Sequence, residues 1–234
     1  MLNLAPALPL PDLRVPGALE GLDRLAYNLH WTWSPLAQEA FAALNPELWA
    51  AKAGPVRIVR ETDLDKVASD VAEKVRLAVS ELDEYLSAGK SDPVDPIVYF
   101  CAEYGLHETF NLYAGGLGIL AGDHCKEASD LDLPFLAIGL FYRRGFFRQM
   151  VDFEGRQEHL YPEFLPHLCP VREAAGPDGK PLTVSVPVPG RTLHAKVWRV
   201  DVGRTPLLLL DTDIPENAPE DRVITSQLYT CGRE

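Results

Sequence analysis

The chain has 234 residues, 47% of them apolar and 24% charged, a globular composition with length enough for a substantial core, so disorder is excluded as its default state. Its 34 acidic against 22 basic side chains leave a net charge of −12, which disfavours nucleic acid and anionic membrane surfaces as general partners but not local phosphate binding. Four cysteines, Cys101, Cys125, Cys169 and Cys231, show neither C-x-x-C spacing nor a histidine at metal-ligand spacing, so reduced thiols are expected and a structural zinc is not.

Residues 1–17 read as an extended proline-rich arm, with Pro6, Pro9, Pro11 and Pro16 among leucines. They contain no basic n-region and no uninterrupted apolar run, so a signal peptide or membrane span is not expected and a cytoplasmic location is. Leu19, Leu22, Leu25, Ala26 and Leu29 recur at helical spacing and predict a helix from about Ala18 to Trp31. Ser34-Pro35 and Asn45-Pro46 each put a capping side chain before a proline at the first helical position, so two short helices should follow, with Gly54-Pro55 ending the second. An apolar stripe of Leu64, Val67, Ala68, Val71, Val75, Ala78, Leu82 and Leu86 then predicts one long helix from Asp63 to Ser87, stopped at Gly89. Residues 18–92 thus read as a helical domain.

The segment Ser91-Asp92-Pro93-Val94-Asp95-Pro96 cannot continue a helix, because each proline lacks a donor and pushes its predecessor to extended geometry; the domain boundary is placed there. Residues 96–234 have α/β character. Ile97 to Cys101 is a continuous apolar run that reads as a buried strand, a helix is expected from Leu117 to about Leu131, and Phe135 to Phe141 reads as a second buried strand. The strands should be parallel, with a right-handed crossover. Leu182 to Val188, Thr192 to Val200 and Leu207 to Leu210 predict a β-meander inserted on this core.

Between strand and helix the chain reads Y-A-G-G-L-G-I-L-A-G-D-H from Tyr113 to His124. Glycines let a ligand approach the main chain, and the first amides of a helix lack intrahelical acceptors, so the turn suits an anion. Glycines at such a turn serve chain geometry as often as a ligand, and both readings stand on these residues alone. Gly116 to Ala121 also fits G-x-G-x-x-A, but thirteen residues separate Cys101 from Gly115, whereas a dinucleotide turn follows its strand at once. Asp123 and His124 are neighbours on a helix and point roughly 100° apart, so they make no facing acid/base pair. Trp31, Trp33 and Trp49 could form a sugar platform, although core or interface positions suit them better. Arg143, Arg144 and Arg148 could assist an anion or be solvated or ion-paired.

The run I-V-Y-F-C-A-E-Y-G-L-H-E-T-F-N-L-Y-A-G-G-L-G-I-L-A-G-D-H-C-K-E-A-S-D-L-D-L-P from Ile97, continuing as G-L-F-Y-R-R-G-F-F-R-Q, strongly resembles the α-glucan phosphorylases. So do L-A-Y-N-L-H-W-T-W-S-P from Leu25 and D-T-D-I-P-E-N-A-P-E-D-R from Asp211, the former resembling the extra N-terminal helical domain of one bacterial branch. A starch or glycogen synthase relative also has a G-G-L turn, but near its N-terminus and after a lysine, where this chain has Ala114 and about a hundred preceding residues.

The resemblance, from about Leu22 to Tyr229, implies phosphorolysis of terminal α-1,4-linked glucose from glycogen or maltodextrin, giving α-glucose 1-phosphate with retention and using the phosphate of pyridoxal phosphate. It implies a fold in which the helical domain precedes the first part of a Rossmann-like lobe of a two-lobed, GT-B type glycosyltransferase. By the same resemblance the amides of Gly115, Gly116 and Leu117 contact the substrate phosphate or glucosyl unit, and Glu103 borders the phosphate site, with a capped strand end or a solvated loop carboxylate as its other reading. The family's cofactor lysine, its H-x-N-E-G-H-like segment and its second lobe have no counterpart here. The catalytic set is therefore incomplete, and the isolated chain is expected neither to hold pyridoxal phosphate covalently nor to turn over glucan. Thr230-Cys231-Gly232 departs from the two glycines and aspartate usual in the family, so a shifted reading frame or incomplete gene is expected after Tyr229. Expected partners are α-1,4-glucan, inorganic phosphate and the missing C-terminal half or a second copy. The alternative is a non-catalytic remnant acting as a glucan-binding or subunit-interaction module.

Overall fold

The computed structural model of the chain describes residues 6–10, 13–89 and 95–229. The sequence boundary at Ser91–Val94 and the departure after Tyr229 lie outside the described residues.

Five α-helices come first: α1 (Leu22–Tyr27), α2 (Pro35–Leu44), α3 (Pro46–Ala50), α4 (Pro55–Glu61) and α5 (Ser69–Ser87). The two capped starts form as the sequence predicts. The Ser34 hydroxyl accepts from the Ala37 amide at 3.1 Å and the Asn45 side chain from the Leu48 amide at 3.1 Å, each before a proline at the first helical position.

Three helix expectations need correction. The helix predicted over Ala18–Trp31 is broken into α1 and two flanking 3-10 turns, Gly17–Leu19 and Leu29–Thr32. Gly21 stands at φ 86°, where a Cβ would meet Val79 Cγ1 at 2.6 Å, and Asn28 is extended because its amide side chain bonds both the N–H and the C=O of Gly203. Gly54-Pro55 opens α4 rather than ending α3, which stops earlier at Ala50. The long helix starts at Ser69, not Asp63: Leu64 and Val67 pack on the core from a 3-10 turn and an extended residue, so the apolar periodicity outruns the helix.

The second half is mixed α/β. Strands β1 (Ile97–Phe100), β4 (Phe135–Leu140), β7 (Arg172–Glu173), β8 (Thr183–Val188), β9 (Arg191–Val202) and β10 (Thr205–Asp211) form one sheet in the order β1-β4-β10-β9-β7, with β8 also on β9. β1 and β10 both run parallel to β4, and β9 is antiparallel to β10. The meander β8-β9-β10 is therefore not an insertion on the core but an extension of its sheet, carrying Val200, Val202, Leu207 and Leu209 in the core. Two hairpins lie outside that sheet: β2 (Tyr104–His107) with β3 (Phe110–Leu112), and β5 (Arg148–Val151) with β6 (Gln157–Leu160). Helix α6 (Gly116–Asp130) crosses between β3 and β4, and α7 (Pro219–Arg222) follows β10.

The strand expected to be buried at Ile97–Cys101 forms, yet it is largely exposed. It is the edge of the sheet, paired on one side only among the described residues, and Phe100 is 72% exposed. Elsewhere one core runs through both halves, from Leu22, Trp31, Phe41 and Leu82 to Phe110, Phe141, Trp198 and Leu207. Arg204 fastens them: its guanidinium donates to the carbonyl oxygens of Ser129 (2.7 Å) and Tyr85 and lies 3.9 Å from the centre of the Tyr85 ring.

Candidate functional site

The glycines of the Tyr113–His124 turn divide into two kinds. Gly118 and Gly122 are demanded by packing: a Cβ would lie 2.3 Å from Tyr113 Cβ at the first and 2.1 Å from the Gly105 carbonyl oxygen at the second. Gly105 mirrors them from β2, where a Cβ would lie 3.0 Å from the Gly118 backbone. α6 thus crosses β2 at backbone contact, and Lys126 Nζ clamps the crossing by donating to the Leu106 carbonyl at 2.9 Å. Gly115 and Gly116 are different. A Cβ on either would meet nothing within 4 Å, and neither has positive φ, Gly115 being extended at φ −160°. Neither internal packing nor backbone conformation requires glycine there; what it provides is open space in front of the main chain.

Gly115 caps α6 without a side-chain bond, and the first intrahelical bond runs from the Ile119 amide to the Gly115 carbonyl at 3.3 Å. The amides of Gly116, Leu117 and Gly118 therefore precede the helix ladder, at the positive end of its dipole. Gly115, Gly116 and Leu117 line the outside of the turn, and all three are exposed.

Behind the turn lies Glu103, only 2% exposed. It is not a solvated loop carboxylate: Oε2 accepts from the Ala114 amide at 2.9 Å, the residue before the glycines, and Oε1 accepts from the Tyr229 hydroxyl. The Tyr142 hydroxyl is pushed up to about 12, by burial first and then by the negative charge of Glu103. Tyr104 fixes the loop that carries Glu103: its hydroxyl shares its one proton between the carbonyls of Tyr99 and Ile138, each at 3.0 Å, across the space left by Gly139. Gly105, Tyr104 and Tyr229 are contributors that the residue pattern did not single out. An isolated glycine within a strand signals close backbone approach and could have flagged Gly105.

The remaining candidate residues scatter. Asp123 and His124 are exposed, His124 edge-on to Tyr99 at 5.4 Å, away from the turn. Arg143 is ion-paired, to Asp211 at 3.1 Å and Asp213 at 2.8 Å, and Asp211 also accepts from the Trp198 indole at 3.0 Å. Trp31 is core and Trp33 packs beside Tyr85 and Lys126, as the structural reading of the tryptophans expects, whereas Trp49 stays partly exposed. Cys101, Cys125 and Cys169 are free thiols, and burial pushes Cys125 and Cys169 up to about 12. Among the described residues no group of three or more His, Cys, Asp or Glu side chains is arranged to hold a metal ion, and no helix is long and apolar enough to cross a membrane.

Comparison with known proteins covers both the helical segment and the turn. Residues 15–110 match a family model described as "Protein of unknown function (DUF3417)". The chain is 38% identical over 230 positions to the maltodextrin phosphorylase of Thermococcus litoralis, an alignment that takes in 93% of this chain and 28% of that protein. It is 40% identical over 240 positions to the glycogen phosphorylase of Mycobacterium tuberculosis, with 94% of this chain and 28% of the relative covered. The glycogen phosphorylase of Aquifex aeolicus is 41% identical over 222 positions, 92% of this chain and 32% of its own length. The chain thus spans about a third or less of the curated relatives it matches.

Proposed function

We propose that this chain, similar over nearly all of its length to proteins named maltodextrin and glycogen phosphorylase, is the N-terminal portion of an α-glucan phosphorylase and contributes one wall of its active-site cleft. The reaction would be phosphorolysis of the terminal α-1,4-linked glucose of glycogen or maltodextrin to α-glucose 1-phosphate. The observation that carries this reading is the open glycine pair. Gly115 and Gly116 leave free space in front of amides that have no acceptor within the helix, and nothing inside the fold calls for glycine at either position.

In this reading the amides of Gly115, Gly116 and Leu117 hold phosphate oxygens or a sugar hydroxyl. They are fixed before the ligand arrives, so little reorganisation is needed as charge develops. Glu103 is a positioning residue. By accepting from the Ala114 amide it sets the direction from which the chain enters the turn, and its burial keeps that carboxylate out of water. The open glycine turn suits the phosphate-bearing side of such a site, but no residue here is assigned to hold pyridoxal phosphate covalently. When bound, that cofactor supplies its own phosphate group to the reaction. The Rossmann-like, GT-B arrangement belongs to the same proposal. The exposure of side chains on both faces of β1 supports it, since parallel strands are normally covered on both faces, and among the described residues nothing covers these.

The test is replacement of the homologous segment of the Mycobacterium tuberculosis glycogen phosphorylase by this chain, followed by assay of glucose 1-phosphate from maltoheptaose and phosphate. The hybrid should be active, its Gly116→Val variant at least tenfold slower, and the 234-residue chain alone inactive. Robust turnover by the chain alone, or a Gly116→Val hybrid as fast as its parent, would overturn the assignment.

A further inference from the structure

The helical segment carries a cavity that the glycine turn does not use. It measures about 200 Å³ and opens between α2, the end of α3 and the β2-β3 hairpin. Trp31 and Trp49 wall it, their indoles edge to face at 6.2 Å, and the His107 ring lies edge-on to Trp31 at 4.5 Å. Trp31 is buried and anchors the group, leaving the partly exposed Trp49 as the face a ligand would meet.

The polar groups around these rings are a mixed donor and acceptor set. Gln38 Nε2 donates to the carbonyls of Trp31 (3.3 Å) and Thr32 (3.0 Å), so its side-chain oxygen is the atom left to accept. His107 Nδ1 accepts from the Thr109 amide at 3.2 Å, which puts the ring proton on Nε2 as a donor. Burial holds this imidazole below its ordinary value and therefore neutral at pH 7. At the mouth Lys52 Nζ meets Glu108 at 3.1 Å, so cation and anion are matched and the cavity lining has no excess charge to hold phosphate.

Lys52 is also one of three non-glycine residues at positive φ, 58°, among the described residues. It ends α3 in a left-handed cap, its amide donating to the Trp49 carbonyl and the Ala53 amide to the Leu48 carbonyl, each at 2.9 Å, a position where glycine costs less than lysine. From Lys52 and Glu108 a second cavity of about 400 Å³ continues past Arg148 to Tyr113, two residues before Gly115.

We propose that the Trp31–Trp49 cavity is a saccharide-binding site, which takes one hexose ring of a neutral glucan against Trp49, with hydroxyls bonded to Gln38, His107 and Lys52. Aromatic walls with a few convergent polar groups and no net charge suit an amphipathic sugar ring and not an anion. The identity of the sugar as an α-1,4-glucan rests on the phosphorylase reading; the site itself does not. A chain held here and leaving through the second cavity would be led towards the glycine turn.

Isothermal titration of the 234-residue chain with maltoheptaose tests this. Saturable binding is expected, weakened at least tenfold in Trp49→Ala and at least threefold in Lys52→Gly, and unchanged in Phe153→Ser, a side chain standing in solvent between β5 and β6. Lys52→Gly relieves the positive-φ strain, so it should fold at least as well as the parent and keeps the test meaningful if Trp49→Ala fails to fold. The proposal fails if the parent shows no saturable heat, if both cavity variants bind as the parent does, if Gly116→Val alone abolishes binding, or if inorganic phosphate binds in a Lys52-dependent manner. The hybrid-enzyme assay reads turnover at the turn, so either idea can fail without the other.

Discussion

Replacing Gly122 and Gly116 by alanine, one at a time, separates a glycine required by packing from one that packing leaves free. At Gly122 the new methyl would sit 2.1 Å from the Gly105 carbonyl oxygen and 2.7 Å from its carbon, both backbone atoms of β2 that cannot rotate away. α6 would have to lift off β2, straining the Lys126 clamp and the loop that holds Glu103. Overpacking costs about 1–3 kcal/mol, and the upper end applies where backbone meets the methyl. Alanine returns up to about 1 kcal/mol of helix propensity, so the net loss should be about 2 kcal/mol, or about 4–8 °C in Tm for a chain of this size. Gly116→Ala meets nothing within 4 Å, so only the propensity gain remains and stability should hold or rise by a few tenths of a kcal/mol. Circular dichroism melts and urea titrations of the two variants and the parent give both numbers. Equal stability of Gly122→Ala and parent, or a Gly116→Ala loss as large as that of Gly122→Ala, would refute the division between the two kinds of glycine.

Three further outcomes are expected. His30 and His107 are both held below the ordinary histidine value, chiefly by burial, so below about pH 6.5 the unfolded chain binds protons that the folded chain resists. Stability should therefore be full above that pH and fall as pH drops through it; unfolding free energies at about pH 7.5 and about pH 5.5 should differ, and a His30→Gln/His107→Gln chain showing the same difference would contradict the cause. Arg204→Met should cost about 2–3 kcal/mol in urea unfolding, because it removes charge-assisted bonds to Ser129 and Tyr85 and the contact with the Tyr85 ring; a loss below about 0.5 kcal/mol would mean that Arg204 does not fasten the two halves. Phe100→Lys on the bare edge strand should reduce self-association in light scattering without lowering Tm, since the side chain is already largely in solvent; a lower Tm would mean that Phe100 supports the fold.

Chemistry written in adjacent residues is legible from the sequence alone. Ser34-Pro35 and Asn45-Pro46 cap the helices they announce, α6 begins at the glycine turn, and Ile97–Phe100 and Phe135–Leu140 pair in parallel, because caps, turns and strand propensity depend on neighbours in the chain. The motif run around Gly115 likewise resembles the phosphorylases, and proteins named maltodextrin and glycogen phosphorylase are among the relatives, since a motif is a contiguous feature of the chain.

What only tertiary structure decides involves residues distant in sequence. Asn28 leaves the helix because Gly203 takes its side-chain bonds, 175 positions away. Glu103 is buried between partners it meets only in the fold, the Ala114 amide 11 positions away and the Tyr229 hydroxyl 126 positions away. The four glycines of Y-A-G-G-L-G-I-L-A-G-D-H look alike as letters, and packing around β2 and Tyr113 makes Gly118 and Gly122 structural while leaving Gly115 and Gly116 open. Periodicity records which residues are apolar, whereas the space in front of a backbone atom depends on what the rest of the chain brings there.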